Sequence, residues 1–252
     1  MSRDPWHVIQ CKACNFVYLQ NPPVYEELKE NLSWEKLFNG DFKRRHPKGK
    51  KRLSSRFARE FLRYVVEPII PRMNVPKLLD RFASPGDVLD VGCGNGRTLR
   101  GLDSRFTPWG IEIAVEAAKE ARQYFSERGG DVELATALNG LKVQPDDKFT
   151  AVVMRSYLEH EISPREALAE SYRVLQKGGV IILKTPNFGS INAWITGNKW
   201  CGIRLPAHVN YFRPAELEKM VVDTGYRVEH FNMFRYRPPT SDNMWLIGKK
   251  PD

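Results

Sequence analysis

The stretch Val88-Leu89-Asp90-Val91-Gly92-Cys93-Gly94-Asn95-Gly96 constrains this chain more than any other. A buried-strand signature runs straight into glycines spaced G-x-G-x-G. A strand that turns this sharply needs glycine, which adopts positive φ freely and lets the backbone approach a ligand closely. The pair predicts an α/β fold with a nucleotide-type ligand at the carboxyl ends of its strands. Two carboxylates narrow that ligand. Asp90 stands just before the first glycine, where a carboxylate would repel a pyrophosphate and suit an ammonium group. Glu112 ends the next expected strand, Trp109-Gly110-Ile111-Glu112, 20 residues after Gly92. That is the spacing at which an acid reaches ribose hydroxyls. The dinucleotide fingerprint would want Gly or Ala where Arg97 stands. A nucleoside carrying an amino-acid end, such as S-adenosylmethionine, fits better than NAD.

The remaining pattern agrees with an α/β fold. Strands are expected near Asp87–Val91, Pro108–Ile113, Val132–Thr136, Phe149–Met154, Val180–Lys184, Tyr226–Phe234 and Met244–Lys249. Helices are expected over Val75–Phe82, Gly96–Leu102, Ala114–Arg128, Pro164–Leu175 and Pro214–Thr224. Such alternation predicts a doubly wound, seven-stranded, mainly parallel sheet. The last two strands have no helix between them and should form an antiparallel hairpin at the sheet edge. Another helix is expected in Leu53–Val66, from the spacing of Phe57, Phe61, Leu62 and Val65. Residues 1–52 read as a small Cys knuckle plus a basic linker, and residues 53–252 as the main domain.

On these motifs the chain resembles the class I S-adenosylmethionine-dependent methyltransferases. The resemblance spans roughly residues 53–250, and D-V-G-C-G-N-G is its most specific part. It implies that Asp90, Gly92 and Gly94, with Cys93, Asn95 and Gly96 of the same loop, hold the methionine end. It gives Glu112, beside Ile113, the ribose. It puts the adenine side near Ala137 and Leu138, where many members have an acid and this chain has none. Arg155 and Ser156, after the fourth strand, complete the expected cofactor contacts. The segments Leu158-Glu159-His160, Arg173-Val174-Leu175-Gln176-Lys177-Gly178-Gly179 and Thr185-Pro186-Asn187 resemble a narrower group, the bacterial ubiquinone-biosynthesis-type and polysaccharide-associated methyltransferases. Thr150 departs from that pattern, standing where an Asp usually precedes the apolar part of the strand.

Residues 188–212 form a long insert with Trp194, Trp200, Tyr211 and Phe212, and long loops on such scaffolds commonly form binding lids. The insert is expected to shape the acceptor pocket. A hydroxyl acceptor needs a base, and histidine suits neutral pH. His208 and His160 are the candidates, His208 preferred, with Tyr157 positioning the acceptor. The expected reaction is methyl transfer to a small-molecule hydroxyl, on a nucleotide-linked or polysaccharide sugar or a related metabolite. The alternatives are a nucleic-acid methyltransferase, a nucleotide-fold oxidoreductase, and a ligand-binding module without catalysis.

The net charge of +9 owes much to Lys43–Arg52. No aromatic residues interleave that run as stacking platforms would require, so a solvated linker is expected over a nucleic-acid surface. Asn21-Pro22-Pro23 imitates a motif of amino-methylating nucleic-acid enzymes but precedes the fold and is followed by Val24. Cys11 and Cys14 have zinc-ligand spacing without a second pair, so no metal is expected. No apolar run approaches ~20 residues and no signal pattern opens the chain, so a cytoplasmic protein without a membrane span is expected.

Overall fold

Side-chain alternation along the strands decides the architecture. In this computed structural model, which describes residues 6–23, 74–230 and 242–252, the even and odd residues of each central strand feed two different cores. Leu89, Val152, Met154, Ile181, Leu183 and Leu246 face one side. Val88, Ala151, Val153, Val180, Ile182 and Ile247 face the other. A sheet apolar on both faces must be covered on both, which is the doubly wound solution.

The N-terminal hairpin is β1 (Val8–Gln10) and β2 (Val17–Leu19). Helix α1 (Val75–Phe82) has Asn74 as its N-cap, accepting from the Lys77 amide. Then follow β3 (Gly86–Val91), β4 (Phe106–Glu112), α2 (Val115–Ser126), β5 (Val132–Leu134), α3 (Ala137–Lys142) and β6 (Phe149–Arg155). The second half holds α4 (Pro164–Val174), β7 (Leu175–Pro186), α5 (Ile191–Thr196), β8 (Asn210–Tyr211), α6 (Pro214–Asp223), β9 (Arg227–His230) and β10 (Asn243–Lys249). The main sheet has seven strands in the order β5-β4-β3-β6-β7-β10-β9. Its first five strands are mutually parallel, and β10 runs antiparallel to both β7 and β9, as the sequence predicts.

Three expectations change. Residues 96–101 form successive turns rather than a helix. Gly96 and Gly101 both hold positive φ, and the bonds Leu99 N to Gly96 O and Leu102 N to Leu99 O close tight turns that cannot propagate as an α-helix. Strand β5 stops at Leu134, because Thr136 caps α3, accepting from the Asn139 amide. Strand β7 begins at Leu175, directly after α4, not at Val180.

The N-terminal hairpin pairs with the insert. Strand β2 pairs with β8 of the insert, making a second sheet ordered β1-β2-β8. Phe16 packs on Phe212 with ring centroids 5.2 Å apart, and Arg213 donates to the Asn15 carbonyl. The expected helix over 53–66, the basic run 43–52 and the boundary at 52/53 lie outside the described residues. No helix among the described residues is long and apolar enough to cross a membrane.

Candidate functional site

The parallel strands β3, β4, β6 and β7 end on one edge, and the glycine loop leaves β3 there. Gly92, Gly94 and Gly96 all have positive φ. At Gly92 an added Cβ would stand 2.9 Å from Cδ2 of Tyr157, so the loop and that ring need the glycine. A Cβ on Gly96 would meet Phe125 and Ala121 of α2, so this glycine seats the loop on the helix. Around Gly94 the corresponding position is open, which is the room a ligand needs over the loop. Cys93 is buried against Gly110, and its thiol is pushed well up by burial and by Asp90 and Glu112, so it acts as a packing residue rather than a nucleophile.

Glu112 does more than the sequence suggested. Its Oε2 accepts from Gly94 N at 2.7 Å, and its Oε1 accepts from Ile113 N and Ala114 N, both at 2.9 Å. It therefore clamps the glycine loop to the end of β4. A carboxylate offers about four acceptor positions, so one remains on Oε2 for a ribose hydroxyl.

Asp90 is 1% exposed, and its Oδ2 has no hydrogen-bond partner. Burial pushes its carboxyl up to about 7, with Thr98 and Arg155 opposing and Glu112 reinforcing the shift. A buried carboxylate oxygen without a donor is costly in isolation and becomes favourable when an ammonium arrives. The orphaned oxygen, the open space at Gly94 and the remaining acceptor on Glu112 thus fit the methionine and ribose parts of S-adenosylmethionine. Ala137 is buried and Leu138 packs against the core at the start of α3, offering an apolar wall and no acid. Arg155 ends β6, and Ser156 follows in a left-handed conformation, its amide donating to the Lys184 carbonyl. Thr150 uses its hydroxyl on the Asp87 carbonyl, a role internal to the sheet.

The insert is fastened on three sides. Val209 N donates to the Glu159 carbonyl, and Asn210 Nδ2 donates to the carbonyls of Leu158 and Glu161. Strand β8 joins β2. The third fastening is Asp242, which the sequence did not suggest. Its carboxylate accepts from Ser190 Oγ, Asn192 Nδ2, Trp200 Nε1 and Cys201 Sγ, and its carbonyl accepts from Asn187 N. No local pattern marks such a residue, because all its side-chain donors lie 41 to 52 positions away. Trp200, Tyr211 and Phe212 are buried within this layer, whereas Trp194 is 84% exposed on its outer side.

His160 and His208 are brought together, ring centroids 4.7 Å apart and edge to face. Each uses Nδ1 on a backbone carbonyl, His160 on Ala207 and His208 on Gly202, which leaves Nε2 as the lone-pair nitrogen of a neutral ring. Burial lowers both, His160 to about 4 and His208 well below its usual value, with the Arg204 charge adding to each. Glu159 is 1% exposed and burial pushes it up to about 7. One donor atom each from Glu159, His160 and His208 lies within 4.8 Å of the others, the only such group of three or more among the described residues. Two imidazoles oriented by carbonyls plus a carboxylate are a donor set that could hold a divalent transition metal. Tyr157 donates to Glu161, which in turn accepts from the Ser163 amide.

Asn21 and the Cys11/Cys14 pair have local roles. Asn21 Oδ1 accepts from His7 N across the N-terminal hairpin. Cys11 and Cys14 flank a tight turn in which Asn15 takes positive φ and donates to the Cys11 carbonyl. The amides of Cys14 and Ala13 lower the Cys11 thiol.

Comparison with known proteins agrees with this geometry. The methyltransferase-domain family model matches residues 59–231. The ubiquinone biosynthesis O-methyltransferase of Thiobacillus denitrificans is 30% identical over 164 residues, covering 61% of this chain and 69% of that protein. The enzyme of the same name from Xylella fastidiosa is 28% identical over 159 residues, of which the match spans 60% of this chain and 65% of the relative. A solved SAM-dependent methyltransferase of Thermotoga maritima has the same fold, with a TM-score of 0.54 at 21% identity, covering 77% of this chain and 97% of that one.

Proposed function

The chain belongs to the methyltransferase-domain family and is an S-adenosylmethionine-dependent enzyme; from that premise we propose that it methylates a hydroxyl of a small, ring-bearing acceptor. The observation that carries the reading is the buried, unpartnered oxygen of Asp90 on the strand that runs into a glycine loop, open at Gly94 and clamped by Glu112. When bound, S-adenosylmethionine supplies an electrophilic methyl group on a sulfonium. The chain's own residues do the rest. Asp90 holds the ammonium, Glu112 the ribose, and Ala137 and Leu138 wall the adenine side. Tyr157, whose ring lies against Gly92, borders the cradle on the acceptor side and aligns the incoming hydroxyl. Alignment with water excluded is the main contribution an enzyme can make to an in-line displacement. The relatives named as ubiquinone biosynthesis O-methyltransferases support an oxygen acceptor, and the quinone in that name a ring, whether phenolic or sugar.

His208, held neutral by burial, takes the hydroxyl proton in this reading. A second reading rests on the same atoms: Glu159, His160 and His208 hold a divalent metal that fixes the insert, and His208 is then no base. Metal analysis of the purified protein, with His208→Gln turnover before and after chelation, separates the two. Loss of turnover by at least about a hundredfold in a metal-free, folded variant supports the base. Near-wild-type turnover removes it. For the central claim, calorimetric titration with S-adenosylhomocysteine and with NAD is decisive. Tight NAD binding with no response to S-adenosylhomocysteine overturns it. A panel of catechols, phenols and nucleotide sugars with labelled donor then identifies the acceptor.

A further inference from the structure

We propose that the outer face of α5 is a docking surface that sets the insert on an anionic lipid bilayer, an inference that stands whatever the methyl acceptor is.

Helix α5 is an ordinary surface helix turned inside out. Ile191, Trp194 and Ile195 fall at i, i+3 and i+4, so they share one face. That face is the exposed one, at 41%, 84% and 69%. The opposite face carries Asn192 and Ala193, of which Asn192 donates to Asp242 and Ala193 is buried. A surface helix of a globular domain normally buries its apolar stripe and shows water its polar one. This helix is not free to roll over. Ser190, its N-cap, and Asn192, in its first turn, are both tied to the Asp242 carboxylate, and Ala193 packs with Val17, Trp200 and Tyr211. The other large apolar side chains exposed among the described residues, such as Val115, Leu134 and Val222, stand singly on separate elements. Single ones are ordinary, whereas three held rigidly on one face, with a tryptophan among them, mark a contact surface.

Charge selects the partner. The layer that displays this face is built from residues 6–23 and 187–212, and neither segment contains an Asp or a Glu. Lys12 and Lys199 are exposed on it, Lys199 just past the end of α5. An acid-free, cationic surface tipped with apolar side chains matches anionic headgroups above an acyl layer. Lysine reaches the phosphates, and the indole lies at the boundary between headgroup and chain. A second copy of this chain fits less well, because it would set the same cations against each other. Three side chains also fall far short of the roughly 20–30 residues a side in a stable protein interface. A bilayer asks for no matching shape.

The test is co-sedimentation of the full chain with vesicles of phosphatidylcholine alone and of phosphatidylcholine mixed equally with phosphatidylglycerol. We expect binding to the mixed vesicles that weakens at high salt and on phosphatidylcholine alone. Trp194→Ser should weaken it by at least about tenfold, the weight of one large apolar side chain withdrawn from the acyl layer, and Ile195→Ser by less. Lys199→Ala should cost about fivefold on the mixed vesicles and little on phosphatidylcholine. Val222→Ser, an exposed apolar change on α6, should bind as the parent does. All four variants should keep the parent's melting temperature and its affinity for S-adenosylhomocysteine, since each alters an exposed side chain. Tryptophan emission should shift to the blue on mixed vesicles in the parent but not in Trp194→Phe. No binding to either vesicle overturns the inference. So does full binding by Trp194→Ser and Ile195→Ser, which would give the lipid contact to another part of the chain such as the basic run 43–52. Equal binding to both vesicle types, or a blue shift that persists in Trp194→Phe, counts against it. A dimer in sedimentation velocity that Trp194→Ser abolishes would assign the face to a second copy and overturn it as well.

Discussion

The glycine-loop cradle and the insert layer lie on the same edge of the sheet and treat their polar groups in opposite ways. In the cradle Asp90 is buried with an oxygen left unpartnered, and the space over Gly94 is open. In the insert most polar groups satisfy each other: Asp242 takes four side-chain donors, Asn210 bridges two carbonyls, and both histidines are held by carbonyls, while one oxygen of Glu159 beneath them has no hydrogen-bond partner. An unsatisfied buried group raises the energy of the ligand-free state and is repaid only on binding, whereas a satisfied network stabilises the fold with or without ligand. The first region is built to bind. The second is built to stay in place.

That contrast can be broken by exchanging the expected effects. The largest belongs to Asp90→Ala, which should weaken S-adenosylhomocysteine binding by at least about a hundredfold, since it removes the carboxylate of a buried charge pair. Its melting temperature at neutral pH should be unchanged or higher, because a desolvated carboxylate is gone. A variant that binds normally, or that unfolds, would show that Asp90 supports structure. Asp242→Asn should do the reverse, costing about 1–3 kcal/mol of stability in denaturant melts. The amide cannot accept from every donor now facing the carboxylate. Donor affinity should hold steady, and amide exchange should quicken across residues 188–203; donor binding that falls along with stability would merge the two regions.

The smallest effect is a pH dependence with opposite signs. Asp90 has a folded value raised to about 7 from an ordinary carboxylate value. Its share of ligand-free stability is therefore present below about pH 4 and lost as pH rises through 7. Donor affinity needs the ionised form, so it should grow over the same window, by several-fold from about pH 6 to 7 and little beyond. Calorimetry across pH should show that rise in the parent protein and a flat line in Asp90→Asn; a rise in both would assign it to another group.

Much of the cradle was legible because it is local. Asp90 and the glycines adjoin, and Glu112 follows one strand later at a spacing fixed by the strand–turn–strand path. The strand periods also sufficed to predict seven strands and the antiparallel end, since each strand's two faces show directly in alternate residues. Errors fell where glycine chemistry outweighed propensity. The turns over 96–101 carry helix-compatible side chains, yet Gly96 and Gly101 at positive φ break the run. The role of Glu112 as a clamp was hidden because the sequence gives its position but not the direction of the Gly94 amide.

By itself, then, the sequence determined the doubly wound class and the placing of Asp90 and Glu112 beside the glycine loop, because hydrophobic period and glycine placement act over a few residues. Only the tertiary structure decided that the N-terminal hairpin completes the insert through β2 and β8, that His160 and His208 meet edge to face, and that Asp242 gathers donors from more than 40 positions away. Those contacts join segments with no shared local pattern. Chain folding creates their neighbours, and their burial creates their energetics. So the glycine loop could be read from its own residues, whereas the insert layer emerges only once β2, β8 and Asp242 have come together.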